Sequence, residues 1–168
     1  AKRAAEEKSK AAATKKKATI LEDDTLHEAP ISLAIRGTFD VLIVDDNLAN
    51  RMVAEALVKP LGGLPVMAVD GRQAVTKASE RKFDLILMDI SMPVMDGIQA
   101  TAAIRAGTGL SKRTPIIAVT AHASANDLPE LKEQGFQDFV GKPVRKDVLT
   151  RCIEKWTERD TVEFEVAG

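Results

Sequence analysis

Four short apolar runs, each closing on polar residues, constrain this chain more than any other feature. They are VLIVDD, which ends in Asp45 and Asp46; LILMD, which ends in Asp89; PIIAVT, which ends in Thr120; and FVGKP, which supplies Lys142 and Pro143. Runs this short, rich in β-branched residues, suit strands buried in a parallel sheet. Helical stretches separate them. A strand at 40–45 leads to a helix from about 48 to 59, carrying apolar Leu48, Met52, Val53, Ala56 and Leu57 and ended by Pro60, Gly62 and Gly63. LPVMAV at 64–69 is a second strand, followed by a helix that Asp70-Gly71 opens and that runs to about Arg81. Further strands are predicted at 83–89, 115–120 and 137–140, with helices at about 97–106, 124–134 and 144–157. Five βα units in this alternation predict an α/β fold: a doubly wound parallel sheet of five strands with five helices on its two faces.

In such a sheet the carboxyl ends of the strands open into the crevice where ligands bind. Two neighbouring strands would then place Asp45, Asp46 and Asp89 in one small cleft. Left alone, the carboxylates would repel, and desolvation would raise their pKa values. A hard divalent cation resolves the conflict, and Mg²⁺ is the usual choice where phosphate is handled. With the Thr120 hydroxyl and the Lys142 ammonium, the set contains what a site needs to move a phosphoryl group.

These motifs resemble the receiver (response-regulator) domain of two-component signalling. The similarity runs from about Phe39 to Arg159 and rests on Asp45-Asp46, on Asp89 in MDISMPVMDG, on Thr120-Ala121 in VTAHA and on Lys142-Pro143 in GKP. The intervals are 43 residues from Asp46 to Asp89, 31 to Thr120 and 22 to Lys142. The resemblance implies the flavodoxin-like strand order 2-1-3-4-5. It implies Asp89 as phosphoacceptor, with Mg²⁺ bound by Asp46 and Asp89 directly, by Asp45 through water, and by the backbone carbonyl of Ser91. Lys142 would bridge the acceptor carboxylate and the phosphoryl oxygens, Thr120 would bind a phosphoryl oxygen after transfer, and small Ala121 would leave the phosphate room. Pro143 corresponds to a cis peptide bond in the family. Phe139 would follow Thr120 inward as a switch and bias the face formed by the fourth helix, fifth strand and fifth helix. His122 would flank the route of water to the phosphoryl group. Asp96-Gly97 would tighten the turn beside Asp89, with Met92, Pro93 and Met95 shaping that loop. The implied partner is a histidine kinase or a histidine phosphotransfer protein, docking along the first helix at Asn50, Arg51, Val53, Ala54 and Leu57.

Charge divides the chain. Residues 1–19 carry seven Lys or Arg against two Glu, and the remainder 17 basic against 23 acidic residues. The mildly acidic body offers no electrostatic footprint for nucleic acid, and the few residues after Trp156 leave no room for a helix-turn-helix. Residues 1–19 are expected to be a flexible basic tail and 20–38 a connector, with Ile20, Leu21, Ile31, Leu33 and Ile35 against the domain edge. The receiver is placed at 39–159, ahead of a C-terminal tail at 160–168. His27 has no neighbouring His or Cys with which to bind metal. No apolar run is long enough to span a bilayer, and Cys152, the one cysteine, is expected to pack on the last helix; both fit a cytoplasmic segment.

Two forms of the resemblance stay open: a stand-alone regulator, and the terminal receiver of a hybrid histidine kinase in a phosphorelay. On either form the chain is a signalling domain with self-catalysed phosphoryl transfer, not an enzyme with its own substrate. A haloacid-dehalogenase-type phosphohydrolase, which also uses an aspartyl phosphate, would carry D-x-D-x-T on its first strand; here that strand ends in DD-Asn47. A phosphorylation-silent interaction module would lack one of the key acids, and none is missing.

Overall fold

A computed structural model describes residues 37–157. The expected tail at 1–19, most of the connector, His27 and the 160–168 segment lie outside the described residues. Five parallel strands form one sheet in the order β2-β1-β3-β4-β5. They are β1 (Phe39–Val44), β2 (Gly63–Ala68), β3 (Leu85–Asp89), β4 (Ile116–Thr120) and β5 (Asp138–Gly141). The helices are α1 (Leu48–Val58), α2 (Gly71–Glu80), α3 (Gly97–Ala106), α4 (Leu128–Glu133) and α5 (Lys146–Thr157). This is the flavodoxin-like architecture, and β3 is its middle strand, flanked by β1 and β4.

Side-chain alternation along the strands gives each face its own core. Leu42, Val44, Ile86, Met88, Ile116 and Ala118 form one cluster with Ala74 and Ala78 of α2, Ala100 and Ile104 of α3, and Leu131 of α4. On the opposite face Ile43, Leu87 and Val119 look toward Ala54 of α1. Cys152 is buried on α5, and burial, then the Asp138 charge, pushes its thiol pKa up to about 12. It is a packing residue and not a reactive one.

Three local departures from the expected pattern have physical causes. The third strand starts at Leu85, not at residue 83, because side chains of the α3–β4 loop capture the Phe83 backbone. Its N–H donates to Ser111 Oγ (2.8 Å) and its carbonyl accepts from Thr114 Oγ1 (2.7 Å). The helix expected over 124–134 is split into a 3₁₀ turn, Ala125–Asp127, and the six-residue α4. Pro129 has no N–H to donate back to the Ala125 carbonyl, which accepts instead from Leu128 N–H, three residues on.

The third departure concerns α1. Its core-facing residues are Ala54 and Val58, whereas Leu48 and Met52 are 63% and 58% exposed and Val53 is also exposed. Apolar residues at helical spacing therefore mark an outward patch, not the packed face.

Two backbone features fix the β3–α3 loop. Asp96 caps α3 in a reciprocal capping box with Gln99. A Cβ at Gly97 would sit 2.1 Å from the Asp89 carbonyl oxygen, so this glycine is needed for close approach and not for a left-handed turn. Val94, by contrast, does hold φ +72°, a conformation that strains a β-branched residue, and its side chain is 74% exposed.

Candidate active site

Strand ends bring the sequence-selected residues together. β1 delivers Asp45 and Asp46, β3 delivers Asp89, and Thr120 ends β4. Thr120 also accepts the Lys142 N–H through its carbonyl (2.8 Å), so the fourth strand holds the residue that follows the fifth. The Lys142–Pro143 peptide bond is cis.

Lys142 Nζ lies 3.1 Å from Asp45 Oδ2 and 3.0 Å from Asp89 Oδ1. Asp45 is 5% exposed and Asp89 2%. Asp89 Oδ1 also accepts from Ser91 N–H (3.1 Å), while Asp89 Oδ2 is buried with no hydrogen-bond partner. Carboxylate oxygens of Asp45, Asp46 and Asp89 come within 4.8 Å of one another.

The electrostatics follow from burial. Desolvation raises the Asp89 pKa above its ordinary value, and the Asp45 charge adds to it; Lys142 and the Ser91 N–H pull the other way without cancelling it. Burial alone would lower the Lys142 pKa, but its hydrogen bonds to Asp89 and Asp45 and their charges outweigh burial, and the pKa ends raised. Lys142 stays an ammonium across the neutral range. Three carboxylates against one ammonium leave a net negative cleft with an unsatisfied buried oxygen. Its all-oxygen donors suit a small hard cation that keeps part of its water shell, so the residues present fit Mg²⁺.

Thr120 is half-buried, and its Oγ1 accepts from His122 N–H (3.2 Å). A cavity of about 180 Å³ opens beside it, lined in part by Ile90, Thr120, His122, Leu131 and Phe139. Phe139 is half-buried against the α2–α3–α4 core. His122 and Ala121 are exposed at the rim.

The docking edge expected on α1 is composed differently. Ala54 is buried. Asn50 Nδ2 and Arg51 Nη1 reach back to the β1–α1 corner, to Asp45 Oδ1 (3.3 Å) and to the Asp45 carbonyl (2.7 Å). Of the five residues expected there, Val53 presents an exposed apolar side chain, and Leu48 and Met52 extend that patch. The sequence signal for these supports was their distance from the acid pair, four to six residues on, which places them one helical turn above it.

A family model for the response regulator receiver domain matches residues 41–154. The sensor protein GacS of Pseudomonas syringae pv. syringae is 42% identical over 119 residues, covering 70% of this chain and 13% of that protein. The histidine-protein kinase BarA of Escherichia coli K12 is 39% identical over 127 residues, covering 76% and 14%. The chain thus spans about one seventh of the length of these relatives. Among solved structures, the receiver domain of a Pseudomonas aeruginosa PAO1 sensor histidine kinase, crystallised with magnesium in its active-site cleft, is 38% identical with a TM-score of 0.65, covering 73% of this chain and 99% of that one. The Saccharomyces cerevisiae receiver of Ssk1, in complex with the phosphotransfer protein Ypd1, is 28% identical with a TM-score of 0.64, covering 72% and 90%.

Proposed function

The chain belongs to the response-regulator receiver family of two-component signalling, and from that premise we propose that Asp89 accepts a phosphoryl group from a phosphohistidine. A carboxylate oxygen of Asp89 attacks phosphorus, the P–N bond breaks, and the departing imidazole nitrogen takes up a proton. The observation that carries this reading is the buried Asp89 carboxylate, with one oxygen held by Lys142 and Ser91 and the other without a partner.

Asp45, Asp46, Asp89 and the Ser91 carbonyl are the residues that would hold Mg²⁺. When bound, it neutralises charge that would otherwise repel the incoming phosphoryl group. Lys142 orients the Asp89 carboxylate and is placed to stabilise the charge on the phosphoryl oxygens. Thr120, freed from His122 N–H, can turn its hydroxyl toward the new phosphate and vacate volume that Phe139 fills.

Acetyl phosphate with Mg²⁺ tests the acceptor. Intact mass should show one phosphate adduct on the wild-type chain and none on Asp89→Asn. An adduct that survives the substitution would assign the nucleophile elsewhere.

The relatives favour one setting for this chemistry: a receiver within a hybrid sensor kinase, relaying to or from a histidine phosphotransfer protein. The exposed Leu48, Met52 and Val53 give such a partner an apolar landing beside the cleft. A phosphotransfer protein carrying labelled phosphohistidine should lose its label to the wild-type chain and retain it with Asp89→Asn.

A further inference from the structure

Asp46 is the least supported of the three acids. It is exposed, and among the described residues its carboxylate makes no hydrogen bond or ion pair. Asp45 is the opposite: its N–H donates to the Ala68 carbonyl, its Oδ1 accepts from Asn47 N–H and Asn50 Nδ2, and its Oδ2 pairs with Lys142. Where Asp46 points therefore depends on the two peptide units that flank it. The second of these, between Asp46 and Asn47, is fixed by the Asn47 N–H bond to Asp45 Oδ1 at 2.8 Å. The first, between Asp45 and Asp46, has its carbonyl gripped by Arg51 Nη1 at 2.7 Å. Arg51 is itself set by α1, where its N–H donates to the Asn47 carbonyl, and it is half-buried.

We infer that Arg51 is a positioning residue for the metal site: by holding the Asp45 carbonyl it aims Asp46 into the cleft. The inference rests on the reading of Asp45, Asp46 and Asp89 as the cation site. It assigns to Arg51 a task inside the domain, in place of contact with a partner. The bond costs the site something, since it puts a guanidinium next to carboxylates that must attract a cation. Charge and geometry thus act in opposite directions, and that opposition makes the role measurable. If Arg51 acted on the site through charge alone, removing it would tighten Mg²⁺ binding. If it acts by aiming Asp46, removing it weakens binding despite the more negative cleft.

Mg²⁺ titration of the full chain by calorimetry, comparing wild type with Arg51→Met, reads the sign directly. Arg51→Met keeps the apolar stem and loses both charge and donors. Its affinity is expected to fall about tenfold, the scale typical when a residue that orients a metal ligand is lost. Equal or tighter binding by Arg51→Met overturns the proposal. A thermal melt in EDTA reports whether the variant folds. Should it not, Arg51→Gln serves in its place: it too lacks the charge and falls short of the carbonyl, so weaker binding is again expected and unchanged binding is fatal. A purely structural role would lower the melting temperature and leave the affinity of the folded protein alone. Absence of Mg²⁺ binding by the wild-type chain is a distinct result, which removes the cation-site reading and the proposal together.

Discussion

The two corners of the cleft are built to opposite specifications. At the β1–β3 corner the backbone is pinned: Asp45 is tied through its backbone N–H, its carbonyl and both side-chain oxygens, and Gly97 leaves no space above the Asp89 carbonyl. The β4–β5 corner is slack. A 3₁₀ turn and a six-residue helix cross it, residues 121–127 are exposed, and a cavity of about 180 Å³ lies between Thr120 and Phe139. Chemistry needs reacting groups held within a fraction of an ångström, and a switch needs an element with two places to go. The fold separates these demands by one strand.

Substitutions at the two corners should therefore fail differently. The largest effect is expected for Gly97→Ala. The added methyl would meet backbone that cannot move away, so we expect a loss of about 3 kcal/mol in denaturant unfolding together with weaker Mg²⁺ binding. A Gly97→Ala protein with wild-type stability would show that the acidic corner is softer than its contacts imply. Next comes Phe139→Ala, at a half-buried site already beside a void, with an expected cost of about 2 kcal/mol. This protein should still take up phosphate from acetyl phosphate, because Phe139 lines the cavity beside Thr120 and is not part of the Asp45–Asp46–Asp89 cluster. Loss of uptake would mean that the slack corner takes part in the chemistry.

A smaller effect tests the electrostatics. The Asp89 pKa is raised in the folded state, so the folded domain binds this proton more tightly than the unfolded chain does. Stability that protonation confers is present at low pH and is lost as pH rises from the unfolded value of 3.8 through the folded one. In metal-free buffer Asp89→Asn should flatten that part of the pH profile. At neutral pH it should raise Tm, by several degrees for a gain of about 1 kcal/mol. The smallest shift is expected from Val94→Gly, where relief of the left-handed strain exceeds the entropic cost of glycine by about 0.5 kcal/mol.

The acids, Thr120 and Lys142 were legible because each closes an apolar run, and run ends in a parallel sheet converge on one edge. The strand order, by contrast, came with the family resemblance. The orientation of α1 was hidden, since small Ala54 and Val58 pack where larger Leu48, Met52 and Val53 were the stronger hydrophobic signal. Nor could the division of the 124–134 helix be foreseen. Pro129 is tolerated in a first turn, and only the bond from Leu128 to Ala125 shows that the turn before it is 3₁₀. Gly97 was expected for its turn, and its real constraint is a tertiary contact that local sequence does not carry.

Asp138 ends up with an instrument attached. One of its carboxylate oxygens accepts from Phe139 N–H (2.9 Å) and the other from Trp156 Nε1 (2.9 Å), on the last turn of α5. The chain has a single Trp and no Tyr, so its near-ultraviolet emission comes from this one indole. A displacement of Phe139 that carries its backbone N–H along pulls on the carboxylate that the indole holds. The domain therefore carries its own optical gauge of the slack corner, readable without a dye and in the unmodified protein.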